Sequence, residues 1–341
     1  MERSRRKAVT IAEVAASAGV SYQTVSRVVN NHPNVADPTR RAVQGAIARL
    51  GYRPNAFARS LVTRRSNRVG LITLGARYYG PAQTITHVET ALRADGYSLL
   101  FATLSAPTLD NLSTLVAELV AQGVDGLVLI TPLVGVPTET VQQVCDGVPF
   151  VLVDAEGAAG VRAAAIDQRR GGRLAAEHLL SLGHTRVAEI SGPLGWWDAR
   201  ERHEGVLEVL DERGLTLAGS IEGTWEAESG YRGVRELLGQ NVNFTALVAG
   251  NDAMALGALK GLREGGLRVP EDVSVVGFDD LPEAAFFEPP LSSVRGDFPA
   301  LGQRCADLIV ELIGGREPPG SAPLLPTLSV RSSTAPPKRS G

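Results

Sequence analysis

The stretch Val9-Thr-Ile-Ala-Glu-Val-Ala-Ala-Ser-Ala-Gly-Val-Ser-Tyr-Gln-Thr-Val-Ser-Arg-Val-Val-Asn30 reads as two short helices joined by a tight turn. Thr10-Ile-Ala-Glu13 has the spacing of a capping box, in which hydroxyl and carboxylate each bond a free N–H at the helix start. Ile11, Val14, Ala15 and Ala18 then fall on one face. Gly19 ends the first helix, and Ser21 caps a second from Tyr22 to about Val29, turning Val25, Val28 and Val29 inward. Positions 22, 23, 26 and 27 project from the opposite side. A helix of this length fits the major groove of DNA. There a Gln reads adenine and an Arg reads guanine, each through two hydrogen bonds. Tyr22 reaches a base or a phosphate, and Gly19-Val20 supplies the bend of a helix-turn-helix. A third helix starts at Asp37-Pro38, with Asp37 as N-cap. It runs to Leu50, with Val43, Ile47 and Leu50 inward, and Gly51 stops it.

Charge separates this region from the rest of the 341-residue chain. Up to Arg68 there are thirteen Lys+Arg against three Asp+Glu; beyond it there are twenty-one against thirty-four. The overall charge of −3 therefore conceals a basic arm on an acidic body, which points to a nucleic-acid partner for the arm alone. Two cysteines, Cys145 and Cys305, support neither a disulfide framework nor a four-ligand zinc site. No stretch reaches the roughly 18 apolar residues of a membrane helix. The basic N-terminus leads into no apolar signal core. The chain reads as cytoplasmic, with no membrane partner.

From Val69 the pattern is α/β. Strands are expected at Val69–Leu74, Leu99–Thr103, Gly126–Ile130, Phe150–Val153, Ala164–Ile166, Val187–Ser191, Ala246–Ala249 and Val273–Phe278. Helices are expected at His87–Asp95, Leu109–Gln122, Gly171–Leu182, Trp197–Glu212, Tyr231–Leu238, Ala253–Glu264 and Ala300–Ile313. The alternation argues for doubly wound parallel sheets with helices on both faces. Its length argues for two lobes. A connector over 55–67 holds one more helical stretch, Ala56–Val62, capped by Asn55 and too short to be stable alone.

Val9-Thr-Ile-Ala-Glu-Val-Ala15, Gly19–Asn30, Gly51-Tyr-Arg-Pro-Asn55, Ala58-Arg-Ser-Leu61, Gly250-Asn-Asp-Ala-Met-Ala-Leu-Gly257 and Ser274-Val-Val-Gly-Phe-Asp-Asp280 resemble the LacI/GalR family of transcriptional repressors. The resemblance runs from about residue 8 to residue 335 and looks closest to the lac-repressor branch. It implies a helix-turn-helix domain (1–54), a hinge helix (55–67) and a two-lobed, periplasmic-binding-protein-like core (68–335). The N-lobe spans about 68–166 and 298–325, the C-lobe about 167–294 and 326–335, and 336–341 form a loose tail. It implies DNA contacts from Thr10, Ser21, Tyr22, Gln23, Thr24, Ser26, Arg27, Asn30 and Asn55. Leu61 then wedges into a central base step of the minor groove, with Ala58 one turn earlier. The leucine-heptad tail of the lac branch is absent after Thr334, so a homodimer is expected.

In the body, Asp154, Asn251 and Asp279 sit just after expected strands, where ligands bind in such sheets. Arg202, in Arg200-Glu-Arg-His-Glu-Gly205, matches the family's Arg-x-x-Gly; Trp225 matches its stacking Trp, and Phe298 its aromatic beside the pocket. Trp196 and Trp197 are candidates for the same cleft, and Tyr78-Tyr79-Gly-Pro81 reads as a loop contributing Tyr78. Asn251 is equally a helix N-cap, and Asp279-Asp280 equally a turn. Two departures remove polar partners: Gly296 replaces the branch's Gln, and Leu74 its Ser. The implied effector is a small sugar, with a galactoside first in line and no cofactor. No phosphate loop, His-Glu-x-x-His or other catalytic constellation is present. The alternatives are a corepressor-dependent regulator of purine type, a sugar-transport protein and an enzyme on the same fold. The transport reading lacks the signal peptide it needs and leaves the helix-turn-helix unexplained.

Overall fold

The computed structural model describes residues 9–29, 32–52, 65–131, 138–145, 147–155, 161–320 and 322–338. The chain divides into two units, Met1–Ser66 and Asn67–Gly341. Asn30, Asn55, Ala58, Leu61 and the expected hinge helix lie outside the described residues.

The first unit holds α1 (Ile11–Ala18), α2 (Tyr22–Val29) and α3 (Asp37–Leu50). The capping box forms: Glu13 N–H donates to Thr10 Oγ1 at 3.3 Å, and Thr10 N–H to Glu13 Oε2 at 2.7 Å. Gly19 takes the left-handed conformation (φ 65°) that lets α1 stop and α2 turn away. Ser21 Oγ accepts from Thr24 N–H at 3.2 Å, capping α2. Val14, Val25, Val28, Val43 and Ala46 form the small core. Two expectations need correction. The N-cap of α3 is Ala36, with Asp37 already inside the helix, because Pro38 fixes the first turn. Leu50 is 37% exposed, since Ala46 takes the inward position one turn earlier.

In the second unit, β1 (Arg68–Thr73), β2 (Ser98–Thr103), β3 (Gly126–Ile130), β4 (Phe150–Val153) and β5 (Arg162–Ala164) form a parallel sheet in the order β2-β1-β3-β4-β5. Its helices are α4 (Tyr79–Ala94), α5 (Leu109–Ala121), α6 (Thr138–Cys145) and the late α11 (Phe298–Ile313). The second sheet runs β11-β10-β9-β8-β6-β7. It comprises β6 (Val187–Ser191), β7 (Gly219–Glu222), β8 (Ala246–Ala249), β9 (Ser274–Phe278), β10 (Ser292–Arg295) and β11 (Thr327–Ser329). Helices α7 (Gln168–Ser181), α8 (Trp197–Asp211), α9 (Ala227–Gly239) and α10 (Asp252–Glu264) flank it. Separate apolar clusters cover the two faces of each sheet, which explains why β1 and β3 read as unbroken apolar runs.

The sequence pattern missed β7, β10, β11 and α6. These segments are short, and β7 alternates exposed and half-buried positions at a sheet edge. β11 is also antiparallel to β10, a departure from all-parallel sheets. β5 ends two residues earlier than expected, and Ile166 instead bridges Leu324. Tyr79-Gly-Pro81 is the first turn of α4, eight residues before the expected start. The tail is partly tied down: Ala335 N–H donates to Ser274 Oγ at 3.0 Å, and Lys338 pairs with Asp272.

The chain crosses between lobes near Ile166, Gly296 and Leu324, and these crossings touch. Asp167 N–H donates to Leu324 O at 2.8 Å. A Cβ on Gly296 would stand 2.6 Å from Ile166 Cδ1. Helices α7 and α8 approach backbone to backbone: a Cβ on Gly205 would lie 2.1 Å from Arg169 O. Around that contact, Arg169 bonds Glu201 (2.9 Å), Glu204 and Glu208 (2.5 Å). Gly205→Ala is expected to force the helices apart and destabilise the second unit by about 1–3 kcal/mol, as overpacking does. Urea unfolding followed by tryptophan fluorescence reads this, since Trp196, Trp197 and Trp225 all lie in that unit.

Candidate functional site

Two surfaces concentrate chemistry, one in each unit. On α2, Tyr22 is 59% exposed, and Gln23 and Arg27 are exposed, while the valines face inward. Thr10 is engaged with Glu13, and Ser21 with Thr24 Oγ1 at 3.0 Å. Those polar groups therefore shape the helix ends, whereas 22, 23 and 27 present their side chains outward.

In the second unit the carboxyl ends of both sheets face one crevice. The eight candidate residues divide between two spaces in it. Leu74, Asp154, Arg202 and Phe298 line an inner cavity of about 30 Å³. Tyr78, Trp225, Asn251 and Asp279 line an outer chamber of about 400 Å³. Arg202 and Asp279, 3.6 Å apart, link the two spaces. Trp196 is also shared, lining the inner cavity while meeting Tyr78 and Trp225 edge to face at 5.8 and 6.1 Å.

Arg202 is buried and fully engaged. Its Nε donates to Gln168 Oε1 at 2.8 Å and its Nη1 to Gly250 O at 2.6 Å. Its guanidinium lies 3.6 Å from the Phe278 ring centre, a cation–π stack. Nη2 faces Asp279 at 3.6 Å and Asp198 at 4.0 Å. The Arg202-x-x-Gly205 spacing now has a reason: Gly205 seats α8 on α7, and Gln168 in the first turn of α7 then reaches Arg202.

Asp154 Oδ1 accepts from Ile166 N–H at 3.3 Å and Gln168 Nε2 at 3.5 Å. Burial pushes its carboxyl up to about 7, and the Asp198 charge adds to this against those bonds and Arg202. Burial likewise raises Asp279 to about 6, with Arg202 opposing and Asp198 adding. Asp198 itself is raised by burial, opposed by Arg202 and the Ala199 N–H. Among the described residues, Arg202 is the only cation lining the inner cavity.

The backbone is strained at the same place. Asp154 (φ 47°), Trp225 (φ 69°) and Asp279 (φ 97°) all sit in the left-handed region, at about 1–3 kcal/mol each. Asn251 accounts for one of these. It caps α10 through Met254 N–H at 2.8 Å, and its Nδ2 holds Trp225 O at 3.1 Å. The helix-cap reading of Asn251 is thus what its side chain does, and it positions Trp225. The indole occupies the space above Gly192, where a Cβ would stand 2.2 Å from Trp225 Cη2. Its Nε1 is buried without a partner. Asp280 turns away to Arg331 at 2.7 Å and Ser329 Oγ at 2.8 Å.

Gln168 and Asp198 were not singled out from the sequence, because they lie in the first turns of α7 and α8, where Gln and Asp are ordinary. Trp197 is half-buried and lines neither space. Among the described residues, no group of His, Cys, Asp and Glu is arranged to hold a metal, and no helix is long and apolar enough to cross a membrane.

Comparison with known proteins accounts for both units. Residues 10–55 match bacterial regulatory proteins of the lacI family, and residues 176–334 a periplasmic binding protein-like domain. The lactose operon repressor of Escherichia coli is 35% identical over 328 residues, 96% of this chain and 91% of that protein. The regulator MalR of Streptomyces coelicolor is 40% identical over 342 residues, covering 95% and 96%. The repressor PurR of Yersinia enterocolitica is 35% identical over 333 residues, covering 96% and 97%. A solved lac repressor dimer, bound to operator and the anti-inducer ONPF, superposes with a TM-score of 0.90 over 96% of this chain and all of that one, at 35% identity.

The raised carboxyls carry a pH signature. Asp154 and Asp279 rise from 3.8 to about 7 and 6, so the folded chain holds protons that the unfolded chain has released. Their stabilisation is complete below the ordinary pKa and is lost as pH rises through the raised values. Asp154→Asn is therefore expected to flatten the fall in stability between about pH 4 and pH 7, measured by denaturant unfolding at stepped pH.

Proposed function

The chain belongs to the lacI family of bacterial regulatory proteins, and from that premise we propose that this transcriptional repressor is released from its operator by a small neutral sugar. A homodimer sets two α2 helices in successive major grooves of a palindromic site. Tyr22, Gln23 and Arg27 read bases, a role supported by their exposure on the face opposite the buried valines. Thr10, Ser21, Thr24, Ser26, Asn30 and Asn55 contact the backbone around them. Leu61, with Ala58 beside it, wedges the central step from the minor groove. Basic residues of the arm supply much of the affinity and its salt dependence.

One observation carries the sugar reading. Asp154, Asp198 and Asp279 converge on Arg202 beside Trp196, Trp225 and Phe298, at the carboxyl ends of two parallel sheets. Carboxylates and a guanidinium accept from and donate to neighbouring hydroxyls, while aromatic walls cover the apolar face of a sugar ring. Galactosides are the first class to try. The sugar favours one lobe arrangement and so shifts the population away from the DNA-bound state. By linkage, operator binding lowers sugar affinity by the same factor.

The experiment is fluorescence anisotropy on a labelled palindromic operator at fixed salt, challenged with galactosides, glucosides and purines. Release by a sugar supports this reading. DNA binding that requires a purine, the arrangement suggested by the PurR relative, overturns the effector assignment and leaves the repressor. Arg202→Ala is expected to retain operator binding and lose the sugar response. Gln23→Ala is expected to cost about 1–3 kcal/mol at one base pair of each half-site, read by comparing operator variants. An equal loss on every sequence would instead make Gln23 a phosphate contact.

A further inference from the structure

Charge is unevenly balanced where the two lobes meet. Asp154 comes from the lobe of the first sheet, just after β4, while Asp198, Arg202 and Asp279 belong to the second. Asp154, Asp198 and Arg202 line one cavity of about 30 Å³, room for a water molecule or two. Arg202 is held on the second lobe's side by Gln168, Gly250 O and the Phe278 ring. Its Nη2 faces Asp279 at 3.6 Å and Asp198 at 4.0 Å, so its charge is already directed at two carboxyls. Asp154 instead accepts from Ile166 N–H at 3.3 Å and from Gln168 Nε2 at 3.5 Å. Burial therefore favours a proton on Asp154, and the Asp198 charge adds to this against those bonds and Arg202. Parting the lobes carries Asp154 away from Asp198 and admits water. Both changes favour the carboxylate.

The other titratable groups nearby do not share this position between the lobes. Cys305, on α11 in the lobe of Asp154, is buried, and burial pushes its thiol up, so it carries no charge. Asp252 is likewise raised by burial, but it accepts from Ser293 Oγ at 2.6 Å and Leu281 N–H at 2.8 Å within the second lobe. Burial raises the Tyr79 phenol, with Asp279 adding to it. His178, His184 and His203 bond Thr334, Thr245 and Glu189, all inside the second lobe. At the mouth, Arg77 and Glu226 do pair between lobes at 3.0 Å, but both are well exposed and salt screens them.

We propose that the meeting of the lobes is proton-linked: closing the crevice takes up a proton at Asp154, so that acid draws the lobes together and alkali lets them part. The proton then acts on the same equilibrium as any small molecule that prefers one lobe arrangement. Such linkage is independent of the sugar reading.

The test uses the full chain carrying 5-fluorotryptophan, with neither operator nor effector added. Trp196 meets the Tyr78 ring of the other lobe edge to face at 5.8 Å, so its fluorine resonance reports whether the lobes touch. Saturation transfer reads a minor population in slow exchange. The closed form holds the extra proton, so its advantage is lost as pH rises. The ratio of parted to closed forms is expected to rise roughly tenfold or more from about pH 5.5 to about pH 8. Asp154→Asn, neutral throughout, is expected to abolish the response and remain closed. Asp198→Asn is expected to move the midpoint to lower pH, a readout that stands even where Asp154→Asn fails to fold. A ratio that does not rise, including a parted form undetected at the alkaline end, overturns the proton linkage. So does a full response in Asp154→Asn, or an unmoved midpoint in Asp198→Asn.

Discussion

A single guanidinium, that of Arg202, sits among three carboxylates in a largely apolar cavity, and the surrounding structure is arranged to hold it. Removing a charge from water costs several kcal/mol unless partners replace the lost hydration. Arg202 is given Gln168, Gly250 O, the Phe278 face and the two flanking aspartates. Burial raises the proton affinity of all three carboxyls, and the Asp198 charge adds to it at Asp154 and Asp279. In the sugar reading proposed above, ligand hydroxyls donate hydrogen bonds to these carboxyls and so stabilise the charged forms that burial disfavours.

That arrangement depends on backbone contacts some distance away. Gly205 lets α8 rest on α7, which is why Gln168 reaches Arg202 at all. Gly192 leaves room for the Trp225 indole, and Asn251 fixes the strained Trp225 backbone from the start of α10. Ile166 and Gly296 bring two interlobe crossings into contact beneath the cavity. The residues around a prospective ligand are therefore attached to the same crossings about which the lobes would have to move.

The departures from the lac branch also acquire physical meaning. Gly296 is buried against Ile166, so a side chain there would require that residue to shift. Leu74 adds an apolar wall to the inner cavity. In the sugar reading proposed above, the polar partners lost at those two positions leave recognition to Asp154, Asp198, Asp279 and Arg202. Asp198 and Gln168 escaped the sequence reading because they sit in helix first turns, where Asp and Gln are ordinary. Their importance arises from what α7 and α8 face, which no local pattern encodes.

The sequence by itself determined the helix-turn-helix, its capping box and outward Tyr22-Gln23-Arg27 face, the alternation of strands and helices, and the positions of Asp154 and Asp279 at strand ends. These features follow from short-range rules: cap spacing, 3.6-residue periodicity and unbroken apolar runs. Only the tertiary structure decided that eight effector candidates occupy two compartments and that Asn251 caps a helix and positions Trp225. It also revealed edge strands such as β7 and the antiparallel β11, and it placed Tyr79 in a helix at the mouth of the crevice. Each of these depends on contacts between residues far apart in the chain, at sheet edges, lobe crossings and glycine-lined helix pairs, where the local pattern is weak and packing makes the choice.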